Sequence, residues 1–204
     1  MITIVNYGLG NIQAIANIYK RLNIPACIAA SAEQLAEAQK IILPGVGAFD
    51  WAMTRLDQSG MRECLDDLVL GKGRPVLGIC VGMQMMAKRS DEGVLDGLGW
   101  IDAEVKKFDE ASFTHKTRLP HMGWNDVAPR QNGGLFRGLE SGARFYFLHS
   151  YYVAPNQEDD VLAITDYNGP YASSVRSGNV FGAQFHPEKS HQWGIQLLKN
   201  FAEL

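Results

Sequence analysis

The stretch Pro75-Val76-Leu77-Gly78-Ile79-Cys80-Val81-Gly82-Met83-Gln84-Met85-Met86-Ala87-Lys88 decides how this chain folds. Pro75–Ile79 is apolar and reads as a buried strand, and the residues from Met83 onward read as the opening of a helix. Between them lies Gly78-x-Cys80-x-Gly82, the thiol form of a nucleophile elbow. Its glycines permit a turn tight enough to hold the cysteine side chain proud of the sheet. The helix would begin at the cysteine, with its unpaired N–H groups pointing at any negative charge developing there. Such groups favour a thiolate and help hold a tetrahedral oxyanion. Alone, the motif fits a buried cysteine between packing glycines equally well.

A thiol nucleophile needs a base, and the base needs an orienting group. Phe185-His186-Pro187-Glu188 supplies both, after the strand-like run Asn179–Phe185. Pro187 favours an extended backbone at His186, and the i, i+2 spacing in an extended segment sends both side chains to one side. Cys27 and Cys64 fall in an expected strand and an expected helix, where a thiol packs rather than reacts.

The rhythm before the elbow is β-α-β-α. Strands are expected at Ile2–Val5, Ala26–Ala30, Lys40–Leu43 and Pro75–Ile79. Helices are expected after Asn11 and Ser31, both read as caps, and at Phe49–Leu56 and Met61–Leu70. This order predicts an α/β fold with a mostly parallel sheet and helices on both faces, its site beyond the carboxyl ends of the strands. The second half instead offers short strand-like runs at 101–108, 125–128, 145–148, 161–165, 172–175 and 180–185, then a helix over 192–203. These predict an antiparallel extension of the sheet in the second half. With no linker or repeat, residues 1–204 read as one domain.

Composition narrows the function classes. A net charge of −3 and a pI near 5.9 leave no basic footprint for nucleic acid. No apolar run is long enough to span a bilayer. Three cysteines do not suggest a disulfide framework, and with no signal-like N-terminus a reducing cytoplasm is expected. The five histidines are dispersed without ligand spacing, so neither a metal nor another cofactor is expected.

Taken together, Gly78–Gln84 and Phe185–Glu188 resemble the triad glutamine amidotransferases, class I. Pro44-Gly45-Val46-Gly47-Ala48-Phe49, Pro120-His121-Met122-Gly123-Trp124-Asn125, Asn6-Tyr7-Gly8-Leu9-Gly10-Asn11 and Glu188-Lys189-Ser190 resemble one branch of it, the glutaminase subunits of imidazole glycerol phosphate synthase. The resemblance covers the whole chain and implies a flavodoxin-like sheet. It implies hydrolysis of L-glutamine, with Cys80 as nucleophile, His186 as base and Glu188 as its orienter. Backbone groups of Gly45, Val46 and Gly47, with the N–H of Val81, would form the oxyanion hole after a peptide flip. Gln84, Glu92, Tyr146, His149, Ser150 and Tyr151 would bind glutamine, Glu92 attracting its ammonium group. Pro120, His121, Met122, Gly123, Trp124, Asn125 and Lys189 would face a partner, a (β/α)₈ cyclase in a heterodimer that receives the ammonia and serves histidine biosynthesis. Asn6 stands where the branch commonly has aspartate, and Lys88-Arg89 replaces a more acidic or neutral stretch. A paralogous subunit feeding another synthase, such as one that modifies a surface-polysaccharide sugar, fits the same motifs. So does an autonomous triad hydrolase.

Overall fold

The computed structural model describes residues 1–114 and 117–204. In chain order the elements are β1 (Ile2–Val5), α1 (Ile12–Arg21), β2 (Ala26–Ala29), α2 (Ala32–Leu35), β3 (Lys40–Gly45), α3 (Phe49–Gln58), α4 (Arg62–Asp66), β4 (Val76–Cys80) and α5 (Val81–Met85). There follow β5 (Arg89–Ser90), β6 (Ala103–Lys107), β7 (His121–Asp126), β8 (Ala128–Pro129), β9 (Arg144–His149), β10 (Tyr151–Pro155), β11 (Val161–Asp166), β12 (Pro170–Ser177), β13 (Val180–Ala183) and α6 (His191–Glu203).

The main sheet runs β2-β1-β3-β4-β13-β12-β11-β8. Its β2, β1, β3, β4 and β13 are mutually parallel, and β12, β11 and β8 continue it antiparallel. β1, β4 and β13 are buried along their whole length, which is why they read as unbroken apolar runs rather than alternating ones. Helices cover the sheet: α1 presents Ile15, Ile18 and Tyr19 to the core, and α3 presents Phe49, Ala52, Met53 and Leu56. No helix among the described residues is long and apolar enough to cross a membrane.

The antiparallel extension exists, but not all the expected strands join it. β6 pairs with β10 and β5 in a separate sheet, and β7 pairs with β9 in a two-stranded ribbon. Strand propensity marks a segment as extended without naming its neighbour, so pairing was not readable. Pro120–Asn125, absent from the expected strands apart from Asn125, lies mostly in β7. Ser31 caps α2 as expected, accepting from the Gln34 N–H at 3.4 Å. Asn11 does not cap α1, because its side chain is engaged elsewhere.

Candidate active site

Cys80 is the last residue of β4, and its backbone stands at φ 55°, ψ −114°, outside the regions an L-residue ordinarily occupies. Close packing holds it there. A Cβ on Gly78 would come within 2.7 Å of the Gly82 carbonyl oxygen and of the Met83 nitrogen, and one on Gly82 within 2.0 Å of the Leu43 carbonyl oxygen. Both glycines are therefore demanded by contact, since neither has a positive φ. The helix that follows, α5, is only five residues long, so the elbow rests on its packing against β3.

His186 and Glu188 meet, though not by strand alternation. β13 ends at Ala183, and Pro187–Lys189 form a 3₁₀ turn that brings Glu188 back beneath His186. Imidazole Nδ1 lies 2.9 Å from Glu188 Oε1, and both side chains are almost wholly buried. The same Oε1 accepts a 2.6 Å bond from Asn11 Nδ2. Glu188 Oε2 is buried with no partner among the described residues. Burial disfavours a charged imidazole, but the influence of Cys80 and of the bonded Glu188 outweighs it and raises the His186 pKa to about 10. Burial likewise opposes the Glu188 carboxylate, and the bonds from His186 and Asn11 more than offset it, so its pKa is lowered.

A cavity of about 380 Å³ opens on Cys80 and His186, within the range of small-molecule sites. Val46, Gly47 and Val81 line it on one side, and Gln84, Glu92, His149, Ser150 and Tyr151 on others. Gly45 does not line it. That glycine is needed because a Cβ there would lie 2.4 Å from the Gly82 nitrogen, so the end of β3 can press against the elbow. Tyr7 fixes the preceding peptide: its hydroxyl donates to the Pro44 carbonyl at 2.8 Å and contacts Met85 Sδ at 3.4 Å. Glu92 accepts from the Phe49 N–H at 2.9 Å, at the first turn of α3.

Tyr146 is not a wall of the cavity. It lies beneath Lys189, whose Nζ is 5.6 Å from its ring centre, and edge-on to Trp124. Lys189 and Pro120 themselves reach the cavity rim. The remaining partner-facing candidates divide by strand alternation. Met122 and Trp124 point outward, 65% and 40% exposed, beside Leu148 at 40%, whereas His121 is buried. His121 therefore offers nothing directly to a partner. It stacks on Phe147 and Tyr167, and its Nδ1 lies 3.2 Å from His149 Nε2 and 3.1 Å from the Tyr171 hydroxyl. Asn125 supports it from below at 3.2 Å, and Gly123 is half-buried between them. His149 Nδ1 is 2.8 Å from the Tyr151 carbonyl, which can only accept, so the proton sits on Nδ1. Burial lowers the His149 pKa to about 3 and the His121 pKa to about 4, keeping both neutral.

Asn11, Tyr7 and Gln184 belong to the site and escaped the sequence reading as functional groups. Gln184 is fully buried, its Nε2 3.8 Å from Cys80 Sγ. Only its position two residues before His186 hinted at it. Cys27 and Cys64 lie away from the cavity; Cys64 donates to the Ala32 carbonyl at 3.6 Å, and burial pushes its thiol pKa up. Lys88 and Arg89 pair with Asp102 and Glu104, outside the cavity lining.

A cysteine at a strained strand-to-helix turn, with a buried histidine–glutamate pair beside it and an open cavity above, defines a thiol-dependent amide hydrolase. Residues 3–204 match the class-I glutamine amidotransferase family, and the chain belongs to that family. It is 58% identical over its full length to the imidazole glycerol phosphate synthase subunit HisH of Bdellovibrio bacteriovorus, and 48% identical to the subunit of that name from Leptospira interrogans; both are covered completely. The imidazole glycerol phosphate synthase subunit HisH 2 of Pseudomonas aeruginosa is 45% identical, again with both chains covered in full. Among solved structures, a glutamine amidotransferase superposes with a TM-score of 0.73 at 18% identity, covering 100% of this chain and 99% of the other. A chain of PurLQS from Thermotoga maritima superposes at 0.72 with 17% identity, covering 99% and 97%. At those identities the two structures speak for the fold alone.

Proposed function

We infer that this chain is the glutaminase subunit of imidazole glycerol phosphate synthase, hydrolysing L-glutamine to glutamate and ammonia in histidine biosynthesis. The observation that carries the chemistry is the strained Cys80 backbone sharing one cavity with a His186 whose Nδ1 is bonded to a buried Glu188. Full-length identity to the synthase subunits carries the pathway.

In this reading Cys80 passes its thiol proton to His186 Nε2 and Sγ attacks the carboxamide carbon of glutamine. The carbonyl oxygen takes up the negative charge and is held by the Val81 N–H and by backbone groups of Val46 and Gly47. Tyr7 pins the Pro44 carbonyl, so the peptide flip that completes this hole belongs downstream of Gly45. The tetrahedral species collapses with its amide nitrogen taking a proton from His186, and ammonia leaves. His186 then removes a proton from water, the hydroxide adds to the thioester, and the carbon–sulfur bond breaks to release glutamate. Glu188 fixes the imidazole through Nδ1, leaving Nε2 for these transfers, and Asn11 steadies Glu188.

Gln84 and Glu92 bind the substrate's polar ends, with His149, Ser150 and Tyr151 as the opposing wall. The partner is a (β/α)₈ cyclase that forms a heterodimer with this chain in the cytoplasm. It seats on the outward face of the β7–β9 ribbon, where Met122, Trp124 and Leu148 lie beside the cavity rim and Lys189 supplies a cation. Exposed aromatic and aliphatic side chains clustered in this way suit a protein interface. Ammonia release from glutamine should be slow for the isolated chain and rise when the cyclase, loaded with its acceptor, is added. Equal rates with and without the loaded cyclase would point instead to an autonomous hydrolase.

A further inference from the structure

We propose that Gln184 is a further catalytic residue: its side-chain amide donates to Cys80 Sγ and holds the sulfur's electron pair each time the carbon–sulfur bond breaks. The orientation of that amide follows from a chain of hydrogen bonds that begins at a backbone carbonyl. The Tyr151 oxygen can only accept, and Gln84 Nε2 lies 3.1 Å from it, so the nitrogen end of Gln84 faces Tyr151. The same nitrogen is 3.0 Å from Gln184 Oε1. Gln184 must then turn its oxygen toward Gln84, because the opposite arrangement would set two donors against each other. Its nitrogen is left facing Cys80 Sγ at 3.8 Å.

Burial gives this contact weight. Gln184 is 0% exposed, so water does not compete for the amide. Its main chain is fixed as well, with the Gln184 N–H bonded to the Ser173 carbonyl at 2.9 Å. An apolar side chain would fill the same space without the cost of burying an amide. The sulfur is a weak acceptor as a thiol or thioester and a strong one as a thiolate. The bond therefore tightens when the attacking thiolate forms and again when the thioester intermediate is resolved. In that second step water supplies hydroxyl to the acyl carbon, the carbon–sulfur bond breaks, and its electron pair returns to Sγ opposite the Gln184 N–H. His186 serves the departing nitrogen and the incoming water, so the two groups act on different atoms.

The proposal rests on the amidohydrolase reading, but it can be tested without glutamine. The rate of Cys80 alkylation by iodoacetamide, located by peptide mass spectrometry, reads the sulfur directly. Gln184→Met keeps the volume and removes the donor; alkylation and kcat for glutamine with the loaded cyclase should each fall about tenfold while KM stays within about twofold. Gln184→Asn keeps an amide but draws it back by one methylene, and should lower both rates if Gln184→Met does not fold. Gln84→Met removes the group that holds the Gln184 amide in this orientation, so it should slow Cys80 alkylation as well as raise KM. Alkylation and kcat near the wild-type values in either folded variant would overturn the proposal, and so would loss of folding in both, which would assign the amide to stability. A wild-type chain that failed to hydrolyse glutamine would sink the amidohydrolase reading and leave the alkylation comparison standing.

Discussion

Replacing Glu188 by glutamine tests the hydrogen-bond arithmetic at the centre of the site. Glu188 Oε1 accepts from both His186 Nδ1 at 2.9 Å and Asn11 Nδ2 at 2.6 Å. A glutamine can keep its oxygen in that position, because its nitrogen there would confront the Asn11 amide and force His186 Nδ1 to accept. That nitrogen must then sit where Oε2 now lies, a buried position with no partner among the described residues. The variant thus retains the tautomer of His186 but loses the charge opposite the imidazolium and gains an unsatisfied buried donor. Charge-assisted bonds of this kind are worth about 1.5–3 kcal/mol, so kcat should fall roughly 10- to 100-fold. His186→Ala, which removes the proposed proton carrier itself, should cost about 10²- to 10⁴-fold. Ammonia release with the loaded cyclase measures both, and thermal melting confirms that both variants fold. If Glu188→Gln turned over at nearly the wild-type rate, or fell as far as His186→Ala, the orienting role drawn from the two bonds on Oε1 would be wrong.

Three other outcomes follow from the same geometry. Cys80→Ala should abolish glutamine hydrolysis without weakening cyclase binding, and a glutamine-analogue electrophile should label Cys80 rather than Cys27 or Cys64 in the wild type; mapping by mass spectrometry decides. Stability should fall as pH drops from about 6.5 toward 3, because His149 and His121 are held neutral when folded while the unfolded chain takes up their protons. The His186 contribution has the opposite sense: it is full below about 6.5 and lost as pH rises through about 10. Melting temperature against pH should therefore show both limbs, with the acid limb shallower in His149→Gln and the alkaline one shallower in His186→Gln. Trp124→Ala should weaken cyclase docking or its stimulation of ammonia release at least several-fold, with Cys80 alkylated as fast as in the wild type.

The elbow was legible because its chemistry and packing demands fall within a few residues: glycine, cysteine and glycine between a strand and a helix. The His186–Glu188 pairing was legible as residue types, but its geometry was not, since Pro187 begins a 3₁₀ turn where an extended segment was expected. Asn11 looked like a helix cap because nothing local indicates an acceptor 177 positions away. The same limit hid Tyr7, which holds Pro44 across 37 positions, and Gln184, whose partner is Cys80 itself. At Pro120–Asn125 a proline and a glycine interrupt an alternation in which Met122 and Trp124 take one face and His121, Gly123 and Asn125 the other. Long-range pairing decides such positions, and it leaves no mark on local composition.

In the proposed reading, that alternation lets one thin element serve both a partner surface and the cavity wall. The β7–β9 ribbon pairs Met122 with Leu148 and Trp124 with Tyr146 on its outer side, and His121 with His149 on its inner side. The inner pair bonds through His149 to the Tyr151 carbonyl, the same oxygen that receives Gln84 Nε2 in the cavity wall. Across the cavity, Gly45 and Gly82 touch so closely that no Cβ fits at either, which ties the end of β3 to the elbow. A cyclase seated on the outer face, as proposed, would press on the strand whose underside holds the cavity wall, opposite the packed contact between β3 and the elbow. A ligand shifts such an arrangement only through tighter binding to one of its states. Docking near Trp124 is therefore expected to act on turnover through the ribbon and the cavity wall, while the buried Cys80–His186–Glu188 contacts stay as they are.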